Sequence, residues 1–125
     1  MSEAWERERY YRRDGTWSHD LAILRLITVR EKYVAKTEVG WFKPDRVMVS
    51  TVHMALDHQF GDGPPLIFET MVFGGRWDQE MDRYSTEAEA LAGHWAMVHR
   101  VSYRGLLRTF DVTEREIAKA EKLER

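Results

Sequence analysis

Residues 46–73 read RVMVSTVHMALDHQFGDGPPLIFETMVF. Two runs rich in β-branched and aromatic residues flank two glycines, an aspartate between them and two prolines, which is the pattern of two antiparallel strands joined by a loop. Gly61 and Gly63 permit positive φ, while Pro64 and Pro65 stiffen re-entry into the second strand without needing ladder donors. Closing this hairpin symmetrically about the GDG loop pairs even-numbered positions with even-numbered ones. Met48, Ser50, Val52, Met54 and Leu56 then share a core face with Leu66, Phe68, Thr70 and Val72. The opposite face holds Val49, Thr51, His53, Ala55 and Asp57 with Ile67, Glu69, Met71 and Phe73.

Working outward, YVAKTEVG at 33–40 alternates like a strand. Gly74 and Gly75 suit a tight two-residue turn into RWDQEMDRY, a short edge strand, which makes about four antiparallel strands. The clearest helix is EAEALAGHWAMV: Thr86 and Glu89 match a capping box, and Ala88, Leu91, Trp95 and Val98 form an apolar stripe able to cover the even face. Thr113 and Glu116 repeat the capping signature for a last helix within 112–125, where Ile117, Ala120 and Leu123 are placed to bury. Residues 2–13 read as a peripheral polar helix within 1–14, ended by Asp14 and Gly15. Ser18 then caps a helix through LAILRLI, with Asp20 in its first turn. The fold class is α+β: one domain over 1–125, an antiparallel sheet with helices packed on it.

Composition narrows the function classes. Of 125 residues, 43% are hydrophobic and 32% charged, with five each of Trp, Tyr and Phe, enough apolar material for a folded core. The absence of cysteine excludes disulfides, thiol nucleophiles and Cys-based zinc sites. A net charge of −2 and a pI near 6.2 give no global attraction to phosphate backbones. The run WERERYYRRDG carries Arg7, Arg9, Arg12 and Arg13, but Glu6, Glu8 and Asp14 dilute it, so nucleic acid is a disfavoured partner. The first twenty residues lack the apolar core of a signal peptide, and no run approaches the ~18 apolar residues of a membrane span. The expectation is a soluble, cytoplasmic protein without a membrane partner. No P-loop, dinucleotide fingerprint or GxSxG elbow is present.

The odd face of the hairpin sets His53 near Glu69 with Asp57 at the rim, and the glycine turn brings Glu80 beside Glu69. Like charges directly opposite destabilise by up to about 1 kcal/mol, so a cation, an imidazolium, a shared proton or solvent must compensate. One imidazole and two carboxylates form a ligand set for a divalent metal and also a proton-transfer set. His53 and Glu69 are therefore candidate catalytic residues, and His53, Glu69 and Glu80 candidate metal ligands, of a small metal-assisted or acid–base hydrolase. Against this stands an ordinary cross-strand His53–Glu69 pair with a solvated Glu80, because no HxxxH-type spacing accompanies them. His94 and His99 lie about 140° apart around a helix and cannot share an ion. The loop presents His58, Phe60 and Asp62, which with Asp57, Met71 and Phe73 form the candidate partner or ligand surface. Val49, Ile67, Met71 and Phe73 make a patch of interface size, to be covered by the helix at 21–27 or by a second copy in a homodimer.

VSTVHMALDHQFGDGPPLIFETMVFGG at 49–75, followed by DRYSTEAEALAGH at 82–94, resembles a recurrent family of small tailed-bacteriophage proteins. The similarity spans residues 10–101, leaving the N-terminal Arg/Tyr segment and the last helix outside it. The resemblance implies a phage-encoded accessory protein acting in the cytoplasm of the infected bacterial host, and it carries over no catalytic residue. By fold-independent analogy with such proteins, the expected function is a binding module on a host protein or small ligand, such as an inhibitor of a host or defence function, with no cofactor. The hydrolase with a divalent metal is the alternative.

Overall fold

The computed structural model describes residues 8–59 and 61–124. In chain order they form β1 (Tyr10–Tyr11), β2 (Trp17–Ser18), α1 (Ala22–Leu26), α2 (Val29–Lys32), β3 (Tyr33–Val39), a 3-10 turn (Lys43–Asp45), β4 (Val47–His53), β5 (Phe68–Phe73), β6 (Met81–Tyr84), α3 (Glu87–Val101), β7 (Thr109–Asp111) and α4 (Thr113–Leu123). Five strands make one sheet in the order β6-β5-β4-β3-β7, each pair antiparallel. The α+β architecture read from the sequence is present. The fifth strand is β7, whose three residues are too few to show alternation. β1 and β2 form a separate ladder turning at Asp14 and Gly15. Tyr10 and Tyr11 are thus strand rather than the end of a helix, and residues 2–7 of that expected helix lie outside the described residues.

The hairpin register differs from symmetric closure. Val49 pairs with Val72, Thr51 with Thr70 and His53 with Phe68, so odd positions of β4 oppose even positions of β5. The cause lies between the strands and their loop. Near the tip, the His58 N–H donates to the Leu66 carbonyl at 3.0 Å, the pairing that symmetric closure requires. At the sheet, the Met54 N–H donates to the Ile67 carbonyl at 2.8 Å. Moving from one bond to the other advances four residues on the β4 side and one on the β5 side. Ala55, held at φ 66, begins the bulge that absorbs the difference. The Tyr11 N–H caps the Ala55 carbonyl at 2.7 Å and so fixes the bulge from outside the hairpin. The face assigned to β5 is retained, whereas that assigned to β4 is inverted: Val49, Thr51 and His53 face inward, and Met48, Ser50 and Val52 share the outer face with Glu69, Met71 and Phe73.

α3 crosses the inner face against β3, β4, β5 and β6. Its Thr86/Glu89 capping box forms as the sequence indicates. Its buried positions are Ala90, His94, Met97, Val98 and Val101, so of the anticipated stripe only Val98 is buried, while Trp95 is 48% exposed. The rotation follows from size. Gly93 lets the helix approach β6 so closely that a β-carbon there would overlap the Tyr84 ring and hydroxyl. Two apolar clusters result, one of Val39, Val49 and Val72 with Met97, Val98 and Val101, the other of Tyr11, Val34, Ile67, Phe68 and Ala90. α4 buries Ile117 as anticipated but leaves Leu123 87% exposed. Its N-cap is Val112, and the Thr113 hydroxyl instead accepts the Lys36 N–H at 2.9 Å, pinning α4 to β3. Gly74 and Gly75, both at positive φ, begin a longer connection to β6 instead of a two-residue turn.

Alanine exceeds glycine in helix propensity by about 1 kcal/mol. Because of Tyr84, Gly93→Ala alone should nevertheless lower the melting temperature. In a Tyr84→Ala background the same substitution should raise it. Thermal denaturation followed by circular dichroism reads both, and stabilisation by Gly93→Ala alone would mean that helix and β6 lie farther apart than described.

Candidate functional site

The structure separates the groups that the sequence gathered. His53 faces inward, 5% exposed, with its ring 5.4 Å from that of Phe68 and neither nitrogen hydrogen-bonded. Burial, reinforced by the nearby Arg13 guanidinium, holds its pKa below the ordinary histidine value against the pull of Glu31, the Tyr11 backbone and Glu87. Glu69 lies on the outer face and accepts from Arg83 at 3.1 Å. Glu80 pairs with Arg100 of α3 at 2.9 Å. The register shift is the physical reason that no His53–Glu69–Glu80 site forms: it turns the imidazole to the opposite side of the sheet from Glu69. Among the described residues, no three His, Asp or Glu side chains converge to hold a metal ion.

The loop residues also have internal work. The Asp57 carboxylate accepts the N–H groups of Gln59 at 2.7 Å and Leu66 at 2.9 Å, so it closes the loop instead of facing a ligand. His58 is half-buried and Asp62 exposed, and Phe60 lies outside the described residues. Met71 and Phe73 are on the outer face as expected, where Met71 pairs with Met81 and Phe73 with Met48. Beside them the Lys36 ammonium donates to the Ser50 hydroxyl at 2.5 Å and sits 4.2 Å from the Tyr33 ring centroid. Burial lowers the Lys36 pKa, and Glu116 opposes that shift.

Between the two apolar clusters lies a polar layer. His94 is fully buried. Its Nε2 meets the Thr37 hydroxyl at 2.8 Å and its Nδ1 the Thr51 hydroxyl at 2.7 Å, while Thr51 bonds Thr70 at 2.6 Å. A neutral imidazole has one donor and one acceptor nitrogen, and the hydroxyls can order their protons to complement it. Burial brings the His94 pKa down to about 4, with the Asp111 carboxylate opposing and the Lys36 ammonium assisting. Sealed from solvent, this histidine can organise the core but cannot reach a substrate. One sequence signal was available: a histidine on a helix face otherwise apolar, matched by inward threonines on three strands.

At the other end of the sheet the connections β3–β4, β5–β6 and α3–β7 meet. A cavity of about 140 Å³ opens there, walled by Val39, Val47, Val72, Val101 and Leu107. Trp77 and Tyr103 also line it, their ring centroids 5.2 Å apart. Gly75, at φ 70, brings the backbone against Val47, whose Cγ1 would lie 2.6 Å from an added β-carbon. Gln79, Tyr103 and Arg104 adopt positive φ without being glycine, a strained conformation found disproportionately at ligand clamps. Trp41, Phe42, Phe73 and Leu106 surround this end and are between 50% and 75% exposed. None but Phe73 stood out in the sequence, because loop residues show no periodicity and their neighbours come from distant segments.

The buried histidine gives the fold a defined acid response. Its folded-state pKa lies below the unfolded value of about 6.5, so the unfolded chain binds the proton more tightly. Stability is therefore full above pH 6.5 and falls as pH drops towards 4, by on the order of 3 kcal/mol from this group. His53 acts in the same direction. Urea titrations across this window should show the loss. His94→Gln should be less stable at pH 7 yet flatter with pH; an unchanged acid dependence would mean that His94 is not the titrating group.

No protein-family model matches the chain, and neither does any curated protein or solved structure. Function is accordingly read from the geometry above.

Proposed function

We propose that this is a non-catalytic binding module, a phage-encoded accessory protein that captures a protein of the infected host through the three-loop end of its sheet. The observation that carries this reading is the apolar cavity surrounded by exposed aromatic and aliphatic side chains on three converging connections. Leaving such a patch in water is unfavourable for a monomer, and patches of this kind mark interaction sites. Its size suits one inserted side chain: a comparable apolar cavity of roughly 150 Å³ admits benzene. Met71 and Phe73 from the sequence-chosen surface adjoin this end, whereas the 57–66 loop closes on itself at the far end. The hydrolase reading gains nothing from the geometry, because its imidazole is buried and both carboxylates are engaged by arginines.

Immobilised wild-type protein should retain a host protein that two variants lose. Leu107→Trp fills the cavity, and Trp41→Ser removes an exposed ring. Each should reduce the captured fraction roughly fivefold, equivalent to about 1 kcal/mol, without altering the far-ultraviolet circular dichroism. Asp62→Asn at the opposite end should capture normally. Capture that survives both site variants, or that fails on Asp62→Asn, would overturn the assignment.

A further inference from the structure

We infer that the segment received at the three-loop end is an acidic peptide carrying one bulky apolar side chain, an inference that rests on the binding-module reading above. The cavity walls are aliphatic apart from the Trp77 and Tyr103 rings, and its charged lining residues are Asp45 and Arg76. An aliphatic or phenyl side chain matches such walls, whereas a nucleobase would bring ring nitrogens and exocyclic groups that need more partners than this cavity offers. The anchor therefore belongs to a polypeptide.

The flanking charge sets the sign of the rest. The three connections carry Lys43, Arg46, Arg76, Arg104 and Arg108 against Asp45, Asp78 and Glu80, a local excess of two positive charges on a chain whose net charge is −2. Arg46 is matched by Glu38 at 3.8 Å and Glu80 by Arg100 at 2.9 Å. Asp78 accepts the Gly74 N–H at 2.7 Å and so orders its own loop. Lys43, Arg76, Arg104 and Arg108 make no ion pair among the described residues. Arg76 sits 5.3 Å from the Trp77 ring centroid, and Arg108 lies 6.0 Å from that of Trp41 and 4.9 Å from that of Phe110. Guanidinium groups resting on aromatic faces keep their donor edges free for carboxylates. Carboxylates flanking the anchor complement this rim, and they steer the encounter as well as holding it.

The test uses fluorescence anisotropy of short dye-labelled peptides with the full-length protein. The probes are a leucine or phenylalanine flanked by aspartates, the same peptide with alanine at the anchor, and the same anchor flanked by asparagines. The acidic, anchored peptide should bind at least tenfold more tightly than either control. Its affinity should fall as added salt shortens the screening length towards ~3 Å at 1 M. Leu107→Trp should abolish the advantage of the anchor. Arg76→Ala combined with Arg108→Ala should abolish the advantage of the aspartates while leaving that of the anchor. Equal binding of all three peptides, or none, would overturn the inference, as would tighter binding of a single-stranded oligonucleotide or of phosphatidylserine vesicles. Sedimentation showing a dimer that Trp41→Ser dissociates would also overturn it, by making a second copy the occupant. Host-protein capture lost on Leu107→Trp without any peptide preference would sink this inference alone, whereas capture indifferent to both Leu107→Trp and Trp41→Ser would sink the binding-module reading beneath it.

Discussion

The buried hydrogen-bond chain Thr37–His94–Thr51–Thr70 is the interaction on which the remaining structure depends. It ties α3 to three adjacent strands at the centre of the core, where an unpaired polar group costs roughly 1–3 kcal/mol. That asymmetry makes it a device of specificity more than of net stability. A one-residue slip of β4 would turn Ser50 and Val52 inward and leave the imidazole without Thr51. A different rotation of α3 would strand the Thr37 hydroxyl and leave Thr51 and Thr70 with only each other. Only the observed combination of register and helix face satisfies every member, which is how a buried polar network selects one packing among several apolar ones.

The two ends of the sheet have different roles. At the bulged end, the Ala55 carbonyl is capped by Tyr11 and the 57–66 loop is drawn together by the Asp57 carboxylate. Arg13 of the β1–β2 hairpin bonds Glu87 at the start of α3 and completes that end. At the opposite end the connections project Trp41, Phe42, Phe73 and Leu106 into solvent around a cavity with apolar walls. The cavity at this end is walled instead by Val39, Val72 and Val101 of the strands and helix and by side chains of the three connections. A pre-formed receptacle of this kind loses little entropy on receiving a side chain, and this favours a binding role.

Particular residues mark how far the sequence could be read. The strands at 33–39, 47–53 and 68–73 follow from β-branched and aromatic runs, and the Thr86/Glu89 capping box from spacing alone. Both are local properties, decided by backbone sterics and hydrogen bonds within a few residues. The assignment of His53 to the outer face failed because β4 carries apolar side chains at both parities. Alternation then measures strand character without saying which side is inside. The stripe of Ala88, Leu91, Trp95 and Val98 failed similarly, since Ala90 is buried by a cluster with Tyr11, Val34, Ile67 and Phe68 and His94 by the strand threonines, partners that no helical period reveals.

The amino-acid sequence by itself determined that this chain forms antiparallel strands with capped helices laid on them, because those features rest on short-range sterics and a two-residue repeat. Tertiary structure alone decided which side of β4 faces α3, which histidine is locked into the core, and where an apolar cavity meets arginines that make no ion pair among the described residues. The physical reason is that each of these depends on atoms far apart along the chain: Tyr11 on Ala55, Thr37 on His94, and Val47 on Gly75.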